Sequence, residues 1–132
     1  MINLTFLFKT KVGRNIIALV ISKLNFILPV HRLNETDTLL VFHHPQPSYA
    51  LHILLVPKKA IASLMELGSE DKSLLIEIIQ TVQKLVTEYG LSKTGYRVIV
   101  NGGEYQDIPY LHFHLVTDKL PLTPELSLRY PK

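Results

Sequence analysis

Two hydrophobic periods run through this chain. Between Ser69 and Tyr89, the residues Leu75, Ile78, Ile79, Val82, Leu85, Val86 and Tyr89 recur three and four apart, the spacing of one helix face. Ser69 stands where an N-cap belongs, Glu70 and Asp71 suit the positive end of the helix dipole, and Gly90 suits a left-handed C-cap. Elsewhere the pattern is that of strands: Leu39 to His43, Leu51 to Val56, Tyr96 to Val100 and Tyr110 to Val116. Pro45-Gln46-Pro47-Ser48 separates the first two strands as a turn, and Ala60 to Leu67 reads as a short helix before Gly68. Asn15 to Leu28 predicts a second main helix that stops before Pro29, while Met1 to Phe8 reads as a short strand or a packed arm. Together these elements predict an α+β domain of four or five strands and two main helices. The tail Thr117 to Lys132 carries three prolines and reads as an extended segment.

Composition narrows the class. A chain of 132 residues with 47% hydrophobic content suits one domain with a buried core. It has no cysteine, so disulfides, thiolate metal sites and a cysteine nucleophile are excluded. That fits a reducing, cytoplasmic setting. The net charge of +3 lacks the clustering of a nucleic-acid binder. The apolar run after Asn15 is broken by Ser22, Lys23 and Asn25, so no membrane span is expected. Packing against a sheet or a partner copy is the favoured use of its wide apolar surface. Contact of residues 15–28 with a membrane surface is the alternative.

The chemistry concentrates in Gln106 to Val116. On a strand, Tyr110, His112, His114 and Val116 share one face, and Leu111, Phe113 and Leu115 share the other. Two imidazoles on one face can converge on a phosphate or a metal, although a His-x-His pair alone serves structure as often as chemistry.

The wider context of that pair resembles the histidine-triad superfamily, in its Hint-like branch. That signature runs Gln-[Ser/Glu/Asp]-φ-x followed by His-φ-His-φ-His-φ-φ, where φ is apolar. Here Gln106, Asp107, Ile108 and Pro109 match the lead-in, Tyr110 takes the place of the first histidine, and His112 and His114 match the second and third. Upstream, Pro29, Glu35-Thr36-Asp37, Phe42-His43 and His52 through Lys59 follow the same pattern without insertion. Asn101-Gly102 matches a turn before the signature, with a shorter loop to Gln106. The resemblance covers Ser22 to Val116. It implies a domain at 22–120, flanked by an N-terminal extension (1–21) and a C-terminal tail (121–132).

The resemblance implies an antiparallel five-stranded sheet, a homodimer, and a nucleotide hydrolase or transferase that works through a nucleotidyl-histidine intermediate. The expected ligand is a purine nucleotide or nucleoside phosphoramidate. His112 matches the nucleophile, His114 the histidine that contacts phosphoryl oxygens, and Asp107 a position near the leaving group. His52, Asn101, Gln106, Tyr110 and His44 are the remaining expected nucleotide- or phosphate-binding residues. No cofactor is expected, and no metal in the catalytic step. Tyr110 is expected to border the phosphate site and orient a neighbour through its hydroxyl. His44 stands where the family places the acidic or amide residue that binds the ribose hydroxyls. Thr117-Asp118-Lys119 replaces a Gly-Gly-Arg-like stretch, and the extension before Ser22 is atypical. Two other readings stay open. One is a binding module without turnover. The other is a structural zinc site at His52, His112 and His114.

Overall fold

The computed structural model describes residues 32–120. The expected helix at Asn15 to Leu28, the arm at Met1 to Phe8 and the tail beyond residue 120 lie outside the described residues. The described elements are β1 (Arg32–Glu35), β2 (Leu39–His43), β3 (Leu51–Pro57), α1 (Lys72–Glu88), α2 (Leu91–Thr94), β4 (Arg97–Val100) and β5 (Phe113–Thr117). The strands form one antiparallel sheet in the order β1-β2-β3-β5-β4. This is the expected α+β architecture. Among the described residues it has one long helix.

β1 was not foreseen as a strand. The acidic turn at Thr36-Asp37 reverses the chain, with Thr36 N–H donating to the Leu39 carbonyl at 2.9 Å, and Arg32–Glu35 pairs back on β2. Ala60 to Leu67 is not a helix. Only a single 3₁₀ turn forms, Leu64–Glu66, capped by the Ser63 hydroxyl on Met65 N–H. Ser69 is not the cap of the long helix either. Ser69–Asp71 make a 3₁₀ turn, and α1 starts at Lys72. Asp71 organises this junction. Its carboxylate accepts from Gly68 N–H at 2.9 Å and from the Lys59 ammonium at 2.8 Å. At the other end Gly90 has φ +67°, the left-handed conformation that glycine adopts without a Cβ clash.

The alternation from Leu111 to Leu115 is as expected, although the strand begins at Phe113 and not at Tyr110, which lies in the bend before it. Leu111, Phe113 and Leu115 join Leu39, Val41, Leu51, Ile53 and Leu55 in one apolar layer, which packs on Leu74, Ile78, Val82, Leu85 and Val86 of α1. Leu74 replaces Ile79 in the buried stripe, while Ile79 is 54% exposed and Leu75 is only half-buried. The helix is therefore rotated slightly from the face its sequence suggested. The opposite face of the sheet carries Leu40, Phe42, Leu54, Val56 and Val116, all buried, together with His52, His112 and His114. Imidazoles thus sit within an apolar surround, and that surround sets their chemistry.

Candidate functional site

The register brings the histidines together. Leu54 pairs with His114 and His52 pairs with Val116, so His52 and His114 are diagonal neighbours on adjacent strands. Their rings touch, with His52 Nε2 2.8 Å from His114 Nδ1. His112 lies just before β5, and its ring centroid is 4.9 Å from that of His114, edge to face. His44 follows the end of β2 and continues the ladder, its N–H donating to the His52 carbonyl at 2.8 Å. Its ring lies 4.3 Å from that of His52 and 6.4 Å from that of His114. The Tyr49 ring edge covers His52 from the turn, 5.5 Å away. The four imidazoles expected at the site are thus one contiguous group.

Burial keeps these rings neutral. Loss of water pushes His44 down to about 4, helped by the nearby His52 and His112 rings. The same cause, with His112, takes His52 to about 4. His114 falls to about 3 through burial and then through His112, His52 and His44. His112 is lowered by burial, while the Tyr110 carbonyl and the Asp107 charge oppose the shift. A neutral imidazole keeps a lone pair, which a nucleophile needs.

The geometry decides which nitrogen of His112 holds that lone pair. His112 Nδ1 lies 2.7 Å from the Tyr110 carbonyl oxygen. A carbonyl only accepts, so Nδ1 carries the hydrogen and Nε2 the lone pair. His114 Nε2, by contrast, is buried and meets no partner among the described residues. A buried polar atom left unpaired beside a potential nucleophile points to a ligand atom as its missing partner.

Tyr110 departs from the sequence expectation. It lies in the bend before β5, is buried, and aims its hydroxyl at the carbonyl oxygens of Pro57, Lys58 and Lys59, 2.8, 3.0 and 3.1 Å away. Its one hydroxyl hydrogen is therefore spent on the end of β3 and does not orient a histidine. Burial also raises the phenol to about 12, so it stays protonated. What Tyr110 gives the site is its backbone carbonyl. Gln106 is likewise engaged in structure, its amide donating to the Ala62 carbonyl at 2.7 Å. With the 2.7 Å bond from Leu111 N–H to the Ile61 carbonyl, it ties the 106–111 loop to residues 61–62. Asp107 is exposed and near enough to His112 to act on its charge. Asn101 is half-buried and follows Val100, which pairs with Phe113, so the same register sets Asn101 opposite His112.

Sequence reasoning missed the Tyr110 carbonyl, because backbone groups carry no residue signature. The zinc reading is not supported. Among the described residues no group of three or more His, Cys, Asp or Glu side chains is arranged to hold a metal ion. Here His52 Nε2 and His114 Nδ1 are turned toward each other.

Comparison with known proteins agrees with this geometry. The sequence profile of the HIT domain matches residues 27–120. An uncharacterized HIT-like protein of Synechococcus elongatus is 35% identical over 91 residues, covering 67% of this chain and 79% of that protein. One from Buchnera aphidicola is 32% identical, covering 70% and 85%. Among solved structures, a HIT family hydrolase from Legionella pneumophila superposes with a TM-score of 0.71 at 29% identity, covering 80% of this chain and 96% of that one. A histidine triad protein from Clostridium difficile gives 0.68 at 32% identity, covering 82% and 94%.

Proposed function

Because the chain belongs to the HIT family, we propose that it is a nucleotidyl hydrolase or transferase in which His112 attacks the α-phosphorus of a nucleotide. The observation that carries this reading is the pairing of a lone pair on His112 Nε2 with a buried, unpartnered Nε2 on the adjacent His114. An electrophilic phosphorus meets the first, and a phosphoryl oxygen meets the second. The His112–phosphorus bond forms as the bond to the leaving group breaks, and the departing amine or phosphate takes up a proton. Water then cleaves the histidine–phosphorus bond, releasing the nucleoside monophosphate and the free imidazole.

The ligand is a purine nucleotide or nucleoside phosphoramidate, with Asn101 opposite His112 and with His44 and His52 in the same group of imidazoles as His114. Asp107 is on the exposed side, where a leaving group departs. The direct test is intact mass after a brief incubation with adenosine phosphoramidate. A nucleotidyl adduct that vanishes in His112→Ala is expected. Turnover that survives this substitution overturns the assignment, while nucleotide binding without turnover in any form makes the protein a binding module.

The same reading includes a two-fold dimer. β4 is an edge strand, and its Val98 shares the helix side of the sheet with Leu115. Val98 and the α1 residues Ile76 and Ile79 are all exposed apolar side chains, at 42%, 58% and 54%. Light scattering is expected to give twice the chain mass, and Ile76→Glu with Ile79→Glu to give a monomer.

A further inference from the structure

The β2–β3 turn supplies two backbone N–H groups to the site: Gln46 N–H donates to His44 Nδ1 at 2.9 Å and Ser48 N–H to His52 Nδ1 at 3.1 Å. Ala50 N–H ties the turn to the Asp118 carboxylate at 3.0 Å. We propose that the Ser48 N–H is a positioning group that sets the proton on His52 and, through it, the proton on His114.

The argument follows the hydrogens. An amide N–H only donates, so His52 Nδ1 must offer a lone pair. A neutral imidazole has one N–H, so the His52 hydrogen is on Nε2. That atom is 2.8 Å from His114 Nδ1, which must then accept. The hydrogen of His114 is thereby forced onto Nε2, the buried atom with no partner among the described residues. His112 is set the opposite way by a backbone acceptor, the Tyr110 carbonyl. Two backbone groups of opposite polarity therefore give two touching imidazoles opposite tautomers. One presents a lone pair and the other an N–H, which together fit the electrophilic phosphorus and the oxygen of a phosphoryl group. Without the Ser48 N–H the His52–His114 bond works equally well in reverse. His114 Nε2 then turns a lone pair toward the anion and repels it. A proton added to His52 Nδ1 also has to break the Ser48 bond, so the turn favours the neutral ring.

The catalytic consequence rests on the proposed function, but the tautomers do not. The first measurement is long-range ¹H–¹⁵N correlation on the full chain labelled with ¹⁵N-histidine, at pH 7.5. His52 and His114 are expected as Nε2–H forms and His112 as the Nδ1–H form. An Nδ1–H form of His52 or His114 overturns the proposal even if the enzyme is active. The expected tautomers with no turnover overturn the functional reading alone. The second measurement compares Ser48→Ala, which keeps the N–H, with Ser48→Pro, which removes it. Ser48→Ala is expected to keep the wild-type ring signals and the wild-type affinity for inorganic phosphate. Ser48→Pro is expected to move His114 toward an averaged or Nδ1–H signal and to weaken phosphate binding about tenfold, the effect of one hydrogen bond. Unchanged His114 signals in folded Ser48→Pro overturn the proposal. If Ser48→Pro does not fold, an amide-to-ester exchange of the Pro47–Ser48 bond removes the same hydrogen and is read in the same way.

Discussion

β5 and the residues leading into it have two faces with opposite economies. Leu111, Phe113 and Leu115 point to α1 and are held by contact with other apolar side chains. His112 and His114 point the other way and are held by directed hydrogen bonds, to the Tyr110 carbonyl and to His52. On the first face any side chain of suitable size and shape contributes through burial. On the second, identity and protonation decide, since a polar group removed from water must find its partner. One segment thus separates stability from chemistry by alternating residues. The difference teaches that burial acts on both faces but produces packing on one and neutral, basic imidazoles on the other.

Substitutions break this contrast in order of effect. His112→Ala is expected to take phosphoramidate turnover and the covalent adduct to background, with a loss of about 1–3 kcal/mol in urea unfolding because the Tyr110 carbonyl is left without its donor. Phe113→Ala is expected to cost roughly 3–5 kcal/mol in urea unfolding, as for other large core truncations. A loss below about 1 kcal/mol would reverse the assignment of the two faces. Tyr110→Phe lies between the two. It deprives the carbonyls of Pro57, Lys58 and Lys59 of their donor and is expected to cost about 1–3 kcal/mol. Its kcat/KM is expected to stay near wild type, because the carbonyl that orients His112 is retained. A large drop in kcat/KM at intact stability would return the hydroxyl to the active site.

The last lever is pH, which acts on several imidazoles together. His44, His52 and His114 sit below the ordinary 6.5 in the folded protein. Between about 6.5 and 4 the unfolded chain binds more protons than the folded one, so stability rises with pH across that window. The melting temperature is expected to be flat above pH 7 and to fall progressively as the pH drops toward 4. Since His112 is also lowered, the acid limb of kcat/KM is expected below the pH at which a free imidazole titrates. A limb at or above 6.5 would show that the neutral site is not the reactive one.

Much was legible in the sequence because the signals were local. The period of Ser69 to Tyr89, the glycine at 90 and the alternation from Leu111 to Leu115 need only neighbours along the chain, and the structure bears them out apart from the start and slight rotation of the helix. His112, His114 and His52 were identified from their motif, and the sheet brings them together as that motif implied. The short strand Arg32–Glu35 was missed because it forms by pairing with β2, and Ala60 to Leu67 lost its helix to Ser63 capping and the ties from Gln106 and Leu111.

By itself, then, the sequence determined which residue types stand on each face and where the chemistry lies, since side-chain identity and period are properties of the chain alone. Only the tertiary structure decided what those groups do there. It turned the Tyr110 hydroxyl away to the end of β3 and its carbonyl toward His112, and it set the Ser48 N–H against His52. Every residue except proline carries the same backbone donor and acceptor, so which side chain each one meets is fixed only when distant segments are packed together.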